Sequence, residues 1–183
     1  MGPESRPLRL WRRQVHPVKR RLRYLLLGSG LIAAPVFAVD LPSTAKTPLD
    51  FELSDGKRFV RLSELPAQPT VVNFWRADCP PCLREMPALA ELARSGKARV
   101  ITVALQRPSE TTAAPDAILG ALQPPVVVLH GPVEARGLLA RFGNRSGALP
   151  HTVVLDPQRR RCAGRTGEID RPWLHDRLQE CLT

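Results

Sequence analysis

Residues 70–82 read Thr70-Val71-Val72-Asn73-Phe74-Trp75-Arg76-Ala77-Asp78-Cys79-Pro80-Pro81-Cys82, and this stretch decides the fold. Its first six residues are β-branched or aromatic apart from Asn73, which suits a buried strand. From Pro81 to Arg94, the apolar residues Cys82, Met86, Leu89, Ala90 and Ala93 recur at three- and four-residue intervals. That spacing predicts a helix. A Cys-x-x-Cys pair therefore lies where a strand gives way to a helix. The N-terminus of a helix presents unpaired N–H groups and the positive end of its dipole, and both favour thiolate over thiol at Cys79. Two intervening residues keep the sulfurs within bridging reach, and proline at the first helical positions forfeits no hydrogen bond.

Outward from this corner the chain alternates strand and helix. Phe51, Leu53, Phe59 and Leu62 flank Asp55-Gly56 and predict a hairpin of two short strands. Arg99 to Leu105 is a second buried strand, residues 115–122 are helical, Val126 to Leu129 is a third core strand, and 133–142 is an amphipathic helix. Thr152 to Leu155, a turn at Asp156-Pro157, a basic strand over 159–165 and a helix from Arg171 to Leu182 complete the pattern. Strands alternating with helices and closing on an antiparallel pair imply an α/β sheet of mixed direction.

The charge has a separate origin. The 183 residues include 27 Lys+Arg and 17 Asp+Glu, a formal charge of +10. Such a balance suggests nucleic acid or an anionic membrane when it belongs to the folded domain. Here residues 1–38 hold eight basic side chains against Glu4 alone, and residues 39–183 carry only +3. The basic run ends at Arg23 and is followed by the uncharged stretch Tyr24 to Val39, shorter than the roughly 20 residues of a spanning helix. With Val36 and Ala38 at the −3 and −1 positions, residues 1–38 read as a secretory signal peptide cleaved after Ala38. An uncleaved N-terminal membrane anchor is the rival reading, and Arg20-Arg21 also fits a twin-arginine export signal. Residues 39–48 read as a linker and 49–183 as the folded domain. Export places the domain in the periplasm, where disulfide chemistry is at home. Arg159-Arg160-Arg161 has no interleaved aromatics and reads as a solvated hairpin, so nucleic acid is not an expected partner.

Three alternatives compete for Cys79 and Cys82. Zinc wants a second ligand pair, but Cys162 and Cys181 are isolated and the four histidines lack the spacing, so no metal is expected. Haem attachment would place His directly after Cys82, where Leu83 stands. An inert staple is the third alternative, on a costly strand-to-helix corner. Redox chemistry is the favoured reading, with Cys79 attacking a partner disulfide and Cys82 resolving the mixed disulfide.

Val71-Val72-Asn73-Phe74-Trp75, Cys79-Pro80-Pro81-Cys82, Glu85-Met86-Pro87 and Leu149-Pro150-His151-Thr152 together resemble the exported thioredoxin-like reductases of the TlpA/ResA/DsbE type. The resemblance covers residues 49 to about 182. It implies an α/β thioredoxin-like fold, a central mixed β-sheet flanked by helices, with an N-terminal β-hairpin extension. It implies that Pro150 is a cis-proline facing the cysteines and that the backbone of Leu149 pairs with substrate. Trp75, Pro80, Pro81 and His151 join Leu149 and Pro150 as implied substrate contacts; an exposed strand-end histidine is the other reading of His151. Glu85 is implied to handle a proton for the buried thiol, against the alternative of a solvated first-turn carboxylate. Pro87 matches a helix-kinking proline, and Asn73 stands where cytosolic thioredoxins carry a buried Asp.

Asp78 departs from the family, which often has Trp before the first cysteine; its carboxylate is expected to raise the Cys79 pKa, opposed by Arg76 and Arg84. Cys162 and Cys181 become neighbours in such a fold, and either pair as a structural bridge worth roughly 3 kcal/mol or stay as two thiols. The activity implied is a periplasmic reductase acting on disulfides of partner proteins, in cytochrome c maturation among other tasks, recharged by a membrane electron donor and needing no cofactor. Rival readings are a disulfide oxidase or isomerase, a non-catalytic thioredoxin-like binding module, and a peroxiredoxin-type peroxidase. The last would want Pro-x-x-x-Thr-x-x-Cys, which the sequence lacks.

Overall fold

The computed structural model describes residues 47–182; the signal or anchor reading of 1–38 and most of the 39–48 linker lie outside the described residues. The chain order is β1 (Glu52–Ser54), β2 (Phe59–Arg61), a 3-10 turn (Leu62–Glu64), β3 (Thr70–Trp75), α1 (Pro80–Ser95), β4 (Arg99–Ala104), α2 (Pro108–Thr112) and α3 (Asp116–Ala121). It continues through β5 (Val127–His130), α4 (Arg136–Arg141), β6 (His151–Leu155), β7 (Arg161–Thr166) and α5 (Arg171–Leu182). The seven strands form one sheet in the order β2-β1-β5-β4-β3-β6-β7. β3 pairs in parallel with β4 and antiparallel with β6, and β4 pairs in parallel with β5. The predicted hairpin is β1-β2, turned by Gly56 at φ 91° with the Asp55 carboxylate accepting from the N–H groups of Lys57 and Arg58.

Every residue of β3 is buried, which is why its sequence is a continuous run instead of an alternation. Side chains still alternate between faces. Val71 and Trp75 join the core beneath α1, α3 and α5, with Met86, Leu89, Ile118, Leu174 and Leu178. Val72 and Phe74 join the opposite core with Phe51, Leu62, Leu139 and Phe142. Asn73, between Val71 and Trp75, therefore points to the α1 side. The buried positions of α1 are Cys82, Glu85, Met86, Leu89, Ala90 and Ala93, one helical stripe with a carboxylate inside it. Gly96 closes the helix at φ 69°, with its N–H on the Ala93 carbonyl.

The differences from the sequence reading are local. The helix expected over 133–142 is only Arg136–Arg141, preceded by bends that leave Val133 exposed. The five-residue α2 is too short to show a periodicity and was not anticipated. Among the described residues two X-Pro bonds are cis, Leu149-Pro150 and Pro124-Pro125; nothing in the residues distinguishes the second. Cys162 on β7 and Cys181 on α5 are bonded, with Cα atoms 5.4 Å apart.

Phe142 is fully enclosed, 5.8 Å from the Phe51 ring and 5.3 Å from the Phe74 ring, so it joins the β1-β2 extension to the central strand. Phe142→Ala is expected to lower the unfolding free energy by about 3–5 kcal/mol. Urea unfolding followed by far-UV circular dichroism measures this, and a loss below about 1 kcal/mol contradicts the packing described.

Candidate active site

Cys79 is the N-cap of α1, in extended conformation at φ −115° and ψ 95°, and its carbonyl accepts from the Leu83 N–H at 3.2 Å. Pro80 and Pro81 occupy the first helical positions, where no N–H is required. The cysteines are bonded, with Cα atoms 5.3 Å apart. Cys79 is half-buried and Cys82 is completely enclosed. One sulfur is thus open to a partner and the other is shielded by the core.

The loop before Cys79 is held from the end of β4. The Ala77 N–H donates to Gln106 Oε1 at 2.6 Å, and Gln106 donates on to Thr111 Oγ1. Arg76 grips Asp78 with two hydrogen bonds, 2.8 and 3.1 Å, and also reaches the Leu105 carbonyl. The guanidinium holds the Asp78 carboxyl below its usual range. Arg84 is likewise engaged, by Glu168, through Nε and Nη2 at 3.0 and 2.6 Å. The three charges expected to act on Cys79 are therefore each paired. Asp78 acts together with Arg76 as a compensated pair, and its isolated effect on the thiolate is offset.

Glu85 is 1% exposed, which removes the solvated-carboxylate alternative. Its Oε1 accepts from Asn73 Nδ2 at 2.5 Å and its Oε2 from the Ile169 N–H at 3.0 Å. Asn73 Nδ2 also reaches Thr152 Oγ1 at 3.0 Å on β6. Burial pushes the Glu85 pKa up to about 7, with the two hydrogen bonds holding it down from further rise. It lies one turn after Cys82 on the same face of the helix. A carboxyl that changes protonation near neutral pH can take or return a proton.

Pro150 is buried in the cis conformation and Leu149 before it is half-buried. A groove of about 240 Å³ next to them is lined by Arg76, Leu105, Val133, Arg136, Ser146 and Leu149 among others. A larger cavity of about 380 Å³ lies between α1 and α5 and touches neither Cys79 nor Cys82. Pro80 is exposed and Pro81 partly exposed beside the disulfide.

Two expected substrate contacts are corrected. The Trp75 side chain is fully enclosed beneath α1, since the end of β3 is still covered on that face. His151 is neither exposed nor open to substrate at 2% exposure. Its Nδ1 meets Thr166 Oγ1 at 2.9 Å, its Nε2 meets the Phe142 carbonyl at 3.1 Å, and its ring stacks on Phe74. Burial lowers its pKa. β6 lies between β3 and β7, so its first residue is covered on both sides. Ile169, Glu168 and Gln106 were missed as members of the site; no local motif marks them.

The AhpC/TSA family matches residues 44–160. The thiol:disulfide interchange protein DsbE of Pseudomonas aeruginosa is 37% identical over 70 residues, which is 38% of this chain and 34% of that protein. The match thus spans about a third of that relative. Among solved structures, a DsbF homologue from Corynebacterium diphtheriae superposes with a TM-score of 0.61 at 20% identity, covering 74% of this chain and 87% of that one. A thioredoxin-related protein from Neisseria meningitidis serogroup B gives 0.51 at 29% identity, covering 66% and 90%. The fold is thioredoxin-like.

Glu85 gives the site a signature in stability. With its folded pKa raised, the unfolded chain ionises first as pH rises, so the folded state loses stability between about 4.5 and about 7. The loss is on the order of 3 kcal/mol. His151 has a lowered folded pKa and acts oppositely, losing stability as pH falls below about 6.5. Glu85→Gln removes only the first effect. Its unfolding free energy minus that of the parent should therefore rise by on the order of 3 kcal/mol from about pH 4 to about pH 8. Urea titrations of both proteins across this range test it, and a flat difference refutes the raised pKa.

Proposed function

The chain belongs to the AhpC/TSA family, and we propose that it is a thiol:disulfide oxidoreductase working through Cys79 and Cys82. The observation that carries this reading is the bonded pair at the start of α1, with one sulfur accessible and the other enclosed. In the reductive direction the Cys79 thiolate attacks one sulfur of a partner disulfide, forming a mixed disulfide and releasing a partner thiolate. Cys82 then loses its proton and attacks Cys79 Sγ. This releases the second partner thiolate, re-forms the Cys79–Cys82 bond and transfers two electrons to the partner. Glu85, titrating near neutral pH one turn from Cys82, takes the proton of the second step.

The backbone of Leu149, next to cis Pro150 and the adjoining groove, receives the partner polypeptide. Pro80 and Pro81 border the reacting sulfurs. Residues 1–38 act as a signal peptide or anchor that delivers residues 49–183 to the periplasm, and a membrane protein of thiol-disulfide type restores the dithiol. The similarity to the Pseudomonas thiol:disulfide interchange protein supports the exchange reaction. Apocytochrome c is the proposed substrate, carried by the resemblance to the TlpA/ResA/DsbE type. The Cys162–Cys181 bridge is read as structural.

Cys82→Ala leaves Cys79 able to attack and unable to be released, so it should accumulate covalent adducts with periplasmic proteins. These are detected on non-reducing gels and should vanish in Cys79→Ser. Absence of adducts, together with undiminished insulin reduction by Cys79→Ser, would sink the proposal. Asp78→Asn should free Arg76 beside Cys79 and lower the thiol pKa there, so the pH midpoint for alkylation of the reduced protein moves down. An unchanged or higher midpoint contradicts the role given to the Arg76–Asp78 pair.

A further inference from the structure

Three consecutive residues after β7 each engage a different part of the candidate site. The Gly167 N–H donates to the carbonyl of cis Pro150 at 2.8 Å. The Glu168 carboxylate takes Arg84, two residues after Cys82. The Ile169 N–H supplies one of the two donors to Glu85, and its side chain is buried. Asp170 then caps α5 by accepting from the Trp173 N–H at 2.9 Å. The elements on either side of this segment, β7 and α5, are joined by Cys162–Cys181, so the segment lies inside a closed loop.

We propose that residues 167–169 form a positioning strap that ties the cis-proline turn to the cysteine helix and fixes Glu85 for proton exchange, with the Cys162–Cys181 bridge tying together the two elements that flank it. The proposal rests on the oxidoreductase reading above and adds residues to it. The physical argument is one of enclosure. Glu85 faces Asn73 from β3, Ile169 and Glu168 from the strap, Arg165 from β7, and follows Cys82 on α1. Thr152 on β6 is linked to it through Asn73. Of these surroundings, β3, β6 and α1 are built into the sheet core. The strap is a connection, and its place depends on its end points. Gly167 sits at φ 110°, a conformation that side chains rarely adopt. Loosening the strap removes the Ile169 donor, whose place water takes, and reduces the burial that raises the proton affinity of the carboxyl; burial is the larger of the two effects, so the net change is downward.

The test follows the Glu85 carboxyl by carbon-13 NMR in the oxidised full chain, with Glu85→Gln identifying the signal. Cys162→Ser/Cys181→Ser removes the covalent link between β7 and α5 without changing charge. Gly167→Ala strains the strap at its other contact, where an added Cβ meets nothing within 4 Å. Both should lower the midpoint by about one pH unit, a tenfold change in proton affinity, and the pH profile of disulfide exchange should move with it. An unmoved or raised carboxyl midpoint in either variant overturns the proposal, as does a carboxyl shift that leaves the exchange profile in place. Should the double serine variant fail to fold, Gly167→Ala alone decides. Because the carboxyl is read in the oxidised protein, its result is separate from whether Cys82→Ala traps partners.

Discussion

The six residues of β3 have no solvent-facing side, and the remaining architecture is arranged around that constraint. A strand buried on both faces needs partners at both edges and cover above and below. β4 and β6 satisfy the edges. On one face lie α1, α3 and α5, and on the other Phe51, Leu139 and Phe142. Where the strand ends, the chain leaves the core at Arg76 and re-enters it at Cys82. The Cys79–Cys82 bond spans that re-entry, so the difference in exposure between its two sulfurs follows from the sheet itself.

Around the pair, mobile charge is largely neutralised. Arg76 is held by Asp78 and Arg84 by Glu168, all in exposed or half-exposed positions where such pairs contribute little to stability. Their consequence is electrostatic: neither guanidinium acts alone on Cys79. What remains is the fixed field of the α1 N-terminus outside and the buried Glu85 inside. The first favours thiolate on the exposed sulfur. The second offers a group that changes protonation near neutral pH on the enclosed side. The two sulfurs of the Cys79–Cys82 bond thus meet different environments within one helical turn.

Legibility varied with the range of the interaction involved. Thr70–Trp75 matched the reading residue for residue because a fully buried strand writes its whole length in β-branched and aromatic side chains. The α1 stripe was equally plain, and Glu85 stood within it as the one carboxylate at a core-facing position. Its partner Ile169 lies 84 residues away and acts through a backbone N–H, which carries no side-chain signal. His151 was misplaced for a related reason. A polar residue at the start of a strand ordinarily reaches water, but β7 and the Phe142 carbonyl close over this one. Trp75, implied by resemblance as a substrate contact, is enclosed by α1 just after it together with α3 and α5, and the last two are distant in sequence.

By itself the sequence determined the Cys79–Cys82 pair at a strand-to-helix corner, the alternation of strands and helices along the chain, and the separation of the basic N-terminal segment from a nearly neutral domain. These depend on neighbours within a few residues: spacing, helix-start proline and local periodicity. Only the tertiary structure decided that Glu85 is enclosed with two donors, that His151 is buried with lowered proton affinity, and that Arg76 and Arg84 are both paired. Burial and hydrogen-bond partners come from segments that meet only when the sheet assembles. Proton affinity is set by burial and by those partners, so it stays undetermined until the distant pieces are in place.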